Sequence, residues 1–206
     1  MIDARQALAL AILAGGAYAA SPAGLVVDAG DDIRAVLTEM DGNLVVAGRG
    51  TEIESVRNWF TDFDAIPEWH DSLGFVPRGF LQAALRLMPL LAPHVAGRRV
   101  VFTGHSLGGS LAILLTALLA AEAIPPVAYA AFEPAHTGGA MLTRVLSPIP
   151  GLITRFGDDP VPELPPIYEH PCAVTAIGHA MPDPIDCHSI SRVIAWFQAQ
   201  QQKVAA

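Results

Sequence analysis

At 206 residues, with 52% hydrophobic and 16% charged, the chain is long enough for one domain with a sizeable core, and its composition excludes a disordered chain. A net charge of -8, with only 12 Lys and Arg scattered along the sequence, argues against a nucleic-acid partner, because neutralising phosphates takes clustered cations. Two cysteines, Cys172 and Cys187, are too few for a disulfide scaffold and lack the spacing of a zinc site; one late bridge and two free thiols both stay open.

In chain order, residues 1–20 carry an apolar centre that reads as a first helix ending near Gly15-Gly16 or Pro22. The Ala-Tyr-Ala before Ala20 also resembles a signal-peptide cleavage site. The helix reading is preferred and goes with a cytoplasmic location; the other goes with secretion. "IRAVLTEMDGNLVVAGRG" follows as two strands turning at Asp41-Gly42. "EIESVRNWFTDF" spaces Ile53, Val56, Trp59, Phe60 and Phe63 as an amphipathic helix does. A second helix spans Phe80 to Leu91, and "RRVVFTG" is a short strand ending in glycine.

Leu107 to Ala121 is rich in Leu and Ala and predicts a helix. The apolar stretch Leu111 to Phe132 is interrupted by Glu122 and Pro125-Pro126, so no transmembrane segment is expected, a bilayer needing about 20 uninterrupted apolar residues. "PVAYAAF" is a strand, "AMLTRVL" a helix, "GLITRFG" a strand, and a proline-rich loop runs from Pro160 to Pro166. "CAVTAIG" adds a strand and "SISRVIAWFQAQ" a closing helix. Alternating strands and helices imply a single α/β domain over residues 1–206, with a mostly parallel central sheet and helices on both faces.

Within that alternation, Gly104-His105-Ser106-Leu107-Gly108 sits between a strand and a helix, the setting of a G-x-S-x-G elbow. Its glycines let strand and helix approach, and the serine stands at a helix N-terminus where amides favour a developing anion. A serine hydroxyl is a weak nucleophile, so it needs a histidine base, and the histidine needs a carboxylate to hold its tautomer. Both partners are expected downstream. Asp158 and Asp159 follow the strand "LITRFG", where open parallel sheets place their sites. Of His136, His170, His179 and His188, the last lies in a loop just before the final helix.

These residues together resemble the class 3 lipases, the fungal triacylglycerol-lipase-like branch of the α/β-hydrolases. "VVFTGHSLGGSLA" is similar to that family's nucleophile elbow, which implies Ser106 as nucleophile. "LVVAGRGTEIESVRNWFTDF" resembles the segment that supplies Thr51 to an oxyanion hole, with the amide of Leu107 as second donor. Residues from about 52 to 69 would then correspond to a lid, and Trp59, Phe60, Phe63 and Trp69 to an acyl pocket or lid lining. "RFGDDPVPELPP" is similar to the family's Asp-x-Val-Pro-x-Leu-Pro-Pro block and selects Asp159 over Asp158. "YEHPCAV" resembles a segment with a structural histidine, His170, and the Asp-Cys-His-Ser run at 186–189 is similar to the family's terminal histidine position, which implies His188 as base.

The chain departs from the family at Pro77-Arg78, where a histidine is usual before the Gly-Phe, and at Glu133, where a small residue is usual. The resemblance implies an α/β-hydrolase fold and a serine carboxylic-ester hydrolase acting on acyl esters, glycerolipids among them, with phospholipase A1 or acyl-transfer activity on the same triad as alternatives. A non-catalytic lipid-binding protein of the same fold is the alternative of another class. No cofactor and no metal are expected; the partners expected are a small acyl ester or lipid and a transient contact with a lipid interface.

Overall fold

A computed structural model describes residues 2–50 and 64–205. Asp41 and Gly42 both take positive φ, 50° and 73°, as a two-residue hairpin turn requires. They join β2 (Arg34–Met40) to β3 (Asn43–Gly48). β1 (Leu25–Asp28) pairs with β2 at the sheet edge; with only Val27 buried, it carries no alternation that would have announced it in the sequence.

From β3 onward the sheet is parallel: β6 (Val100–His105), β7 (Ala128–Phe132), β8 (Gly151–Phe156) and β9 (Val174–Ile177) follow in order. The helices are α1 (Ala4–Gly16), α2 (Arg78–Val95), α3 (Leu107–Ala121), α4 (Ala140–Leu146) and α5 (Ile190–Ala205). A separate antiparallel hairpin, β4 (Pro67–His70) with β5 (Gly74–Pro77), lies outside the main sheet and was not anticipated. The helix expected over residues 52–63 lies outside the described residues.

Both faces of the sheet are covered, and successive strand residues show it by alternating between two cores. Leu44, Val46, Val100, Phe102, Tyr129 and Ala131 face the cluster built with α2, α3 and α4. Val45, Val101, Ala128, Ala130 and Phe132 face the cluster built with α1 and α5. This two-sided burial explains why the strands read as continuous apolar runs rather than as alternating ones. α3 is buried nearly all round, which is why its sequence shows no polar stripe.

α1 opens with a capping box, in which the Asp3 carboxylate accepts the Gln6 amide at 2.8 Å and the Gln6 side chain accepts the Asp3 amide at 3.1 Å. It then buries Ala7, Leu10, Ala11 and Ala14 in the second core beside Val193 and Phe197 of α5. Cys172 and Cys187 are both free, the first beside the Tyr129 hydroxyl at 3.5 Å and the second beside Asp158 at 3.0 Å. Among the described residues no helix is long and apolar enough to cross a membrane. Because Leu10 is 2% exposed in this core, Leu10→Ala should cost about 2–4 kcal/mol of unfolding free energy in a denaturant titration. A loss below about 1 kcal/mol would mean that α1 melts independently of the sheet.

Candidate active site

Three glycines bring β3, β6 and α3 closer than any side chain allows. A Cβ on Gly104 would stand 2.2 Å from the carbonyl carbon and oxygen of Gly108, and one on Gly108 would stand 2.1 Å from the carbonyl oxygen of Gly48. Between them Ser106 takes φ 56° and ψ -129°, a backbone that L residues adopt only when their surroundings enforce it. Its amide donates to the Phe132 carbonyl at 3.0 Å, and its carbonyl accepts the Gly109 and Ser110 amides at 2.9 and 3.1 Å. The Leu107 amide opens α3, where the first N–H groups of a helix have no partner within it.

The loop after β8 supplies the carboxylate. Asp159 is fully buried; one carboxylate oxygen, Oδ1, accepts the Val161 amide at 2.9 Å and the other, Oδ2, meets His188 Nδ1 at 2.8 Å. Asp158 turns the other way, accepting from the Met181 amide at 3.2 Å and the Cys187 thiol at 3.0 Å. Those donors hold its carboxyl below the usual range. His188 is buried, its Nε2 makes no hydrogen bond among the described residues, and its ring lies 4.7 Å from that of His105, the neighbour of Ser106.

The other histidines are occupied elsewhere. His136 and His170 pack ring to ring at 4.5 Å and anchor the proline loop through the carbonyls of Pro165 at 3.0 Å and Pro162 at 2.9 Å. Burial, and then His136, lowers the His170 pKa to about 4. His179 is exposed. Leu107 and Trp69 are described, whereas Thr51, Trp59, Phe60 and Phe63 lie outside the described residues.

Beside the first acid–imidazole pair lies a second that the sequence reading missed. His105 Nε2 meets Glu133 Oε2 at 2.9 Å, and His105 Nδ1 meets the Tyr18 hydroxyl at 3.0 Å. That hydroxyl also donates to the His105 carbonyl at 3.3 Å and sits so close to Gly50 that a Cβ there would lie 2.1 Å from it. Glu133 was visible as one of the acids downstream of the serine and as a departure from the family pattern, His105 only as a motif letter, and Tyr18 only within the Ala-Tyr-Ala run. His105, Glu133 and His188 also bring three potential metal-ligand atoms within 4.8 Å of one another.

Residues 45–169 match the family described as Lipase (class 3). The chain belongs to that family. A secreted mono- and diacylglycerol lipase of Fusarium solani is 33% identical over 141 residues, covering 62% of this chain and 41% of that protein. The class 3 chain described here therefore spans less than half the length of that relative.

Among solved structures, a lipase from Rhizopus microsporus var. chinensis superposes with TM-score 0.70 at 21% identity, covering 85% of this chain and 75% of that one. The propeptide complex of a Rhizomucor miehei lipase gives 0.67 at 20%, covering 82% and 66%. These neighbours share the α/β-hydrolase fold expected for the class 3 chain. The family match over residues 45–169 ends before His188 and begins after Tyr18.

The glycine contacts make a sharp prediction for the lipase elbow. Gly104→Ala drives a methyl into backbone atoms that have nowhere to go, so it should yield insoluble protein or lower the thermal midpoint by several degrees or more. An unchanged midpoint in thermal denaturation would show that β6 and α3 are free to move apart.

Proposed function

We propose that the chain is a serine carboxylic-ester hydrolase of the lipase and esterase type, in which Ser106, His188 and Asp159 form the catalytic triad. The observation that carries this reading is the 2.8 Å contact between Asp159 Oδ2 and His188 Nδ1 beside a serine held on a strained strand-to-helix turn. With Nδ1 engaged by the carboxylate, the imidazole presents Nε2 as the base, and that nitrogen makes no hydrogen bond among the described residues.

The Ser106 hydroxyl gives its proton to His188 Nε2 as Oγ bonds to the ester carbonyl carbon. The carbonyl oxygen becomes an anion, held by the Leu107 amide and by Thr51. Collapse breaks the bond to the alcohol oxygen, which takes the proton from His188 and leaves. Water then adds to the acyl carbon, passing a proton to His188; the acid departs and that proton returns to Ser106. Asp159 stabilises the imidazolium in both halves. No step calls for a cofactor.

For the acyl chain we propose a cleft whose lining includes none of the triad residues. This apolar cleft of about 500 Å³ is lined by Trp69, Leu73, Phe75, Met141, Ile167 and Tyr168, built from the β4–β5 hairpin and from segments that follow β7 and β8. Trp69, Phe75 and Ile167 are each more than half exposed. Such a patch gains by leaving water, in favour of a lipid substrate and of transient contact with its surface.

A fluorophosphonate probe should label the wild type and not Ser106→Ala, whose turnover should fall by a factor of about 10⁴ or more. Asp159→Asn should lower kcat by a comparable order and Asp158→Asn by less than about fivefold; the reverse ranking would reassign the acid. Ester hydrolysis across acyl lengths reads the cleft. Trp69→Ala should reduce kcat/KM for long-chain esters by about tenfold while sparing acetate esters, and an equal loss on both would remove the cleft from the acyl path.

A further inference from the structure

Glu133 follows β7 with φ 53°, in the left-handed region where glycine is the unstrained choice. Its amide donates to the Thr154 carbonyl at 3.0 Å, and its side chain is fully buried. A strained, buried, charged-type residue persists only where its surroundings hold it, and such residues gather at functional sites. Its one side-chain partner is His105 Nε2, and its other oxygen, Oε1, makes no hydrogen bond among the described residues. Resting on the triad reading above, we propose that Glu133 is a positioning residue. As a neutral acid it donates to His105 Nε2 and so fixes the ring against which the His188 imidazole stacks.

The contacts accommodate that arrangement. Glu133 Oε2–H donates to His105 Nε2, His105 Nδ1–H donates to the Tyr18 oxygen, and the Tyr18 hydroxyl donates to the His105 carbonyl. Moving one proton from Glu133 to His105 would leave a buried anion with an unpaired oxygen facing the charge of Asp159. The titration tendencies agree. Burial first, and the Asp159 charge second, push Glu133 well above the usual carboxyl range, and the Ser189 and Phe156 amides only partly oppose this. Burial first, and His188 second, push His105 well below the usual imidazole range.

The ionisable groups around the Glu133–His105 pair thus come from four segments: Tyr18 after α1, against His105 on β6, together with Asp159 after β8 and His188 before α5. With Glu133 neutral, Asp159 is the one anion beside His188. The imidazolium formed during turnover therefore has one charged partner, on the Nδ1 side, and its Nε2–H stays directed at Ser106 and the leaving group.

Glu133→Gly suits the positive φ and removes the carboxyl; Glu133→Gln keeps an uncharged donor of the same length. Rates are taken per active site titrated with a fluorophosphonate probe, so that misfolded protein is not counted. Glu133→Gly should lower kcat about tenfold with KM within about twofold, and Glu133→Gln should recover kcat to within about threefold of wild type. The acid limb of kcat/KM against pH should move by less than about 0.3 unit in Glu133→Gln, because no charge has been removed. An unchanged kcat in Glu133→Gly, a Glu133→Gln enzyme as slow as Glu133→Gly, or an acid limb lowered by more than about half a unit would each overturn the assignment. Failure of the wild type to be titrated at Ser106 would instead strike at the triad reading.

Discussion

The contact of backbone with backbone at Gly48, Gly104 and Gly108 is the constraint from which the site follows. Close packing of β3, β6 and the first turn of α3 leaves room only for hydrogen at these positions. The chain between Gly104 and Gly108 must therefore bend so sharply that Ser106 enters a positive-φ conformation. The strain is sustained by the burial of α3 in the larger core and by the ladder of β6 between β3 and β7. A serine in that turn is set at the carboxyl end of the sheet and at the start of a helix, beside unpaired amides.

Around this turn the fold assembles two acid–imidazole pairs of opposite character. Asp159 has two partners, the Val161 amide and the His188 ring. Glu133 has one side-chain partner, His105, and an anionic neighbour, and burial first, then Asp159, favour its neutral form. Two carboxyl groups in one buried site cannot both carry charge cheaply, and hydrogen bonding decides which one does. The 4.7 Å contact between His105 and His188 links the pairs.

α1 brings this chemistry an unexpected participant. Its buried face joins α5 and the sheet, and the turn beyond its last residues places the Tyr18 hydroxyl between His105 and Gly50. A segment that also resembles a signal sequence thus contributes both to the second core and to the surroundings of the elbow.

Much of the frame was legible locally. Asp41-Gly42 announced its hairpin because positive φ at both positions suits few other pairs, and the strand–turn–helix around Ser106 was legible because its glycines and flanking apolar runs have few other uses. β1 and the β4–β5 hairpin were not, since four-residue strands with little alternation look like loops. The sequence by itself determined the alternating α/β order, the elbow and the short set of acids and histidines downstream. Within that set the family resemblance pointed to Asp159 and His188, and the tertiary structure decided which groups are in contact. Asp158 and Asp159 are neighbours with the same chemistry, and the turn after β8 sends one to His188 and the other to Cys187. Tyr18, His105 and Glu133 come together across 115 residues of sequence, a proximity created by packing and invisible to any local pattern.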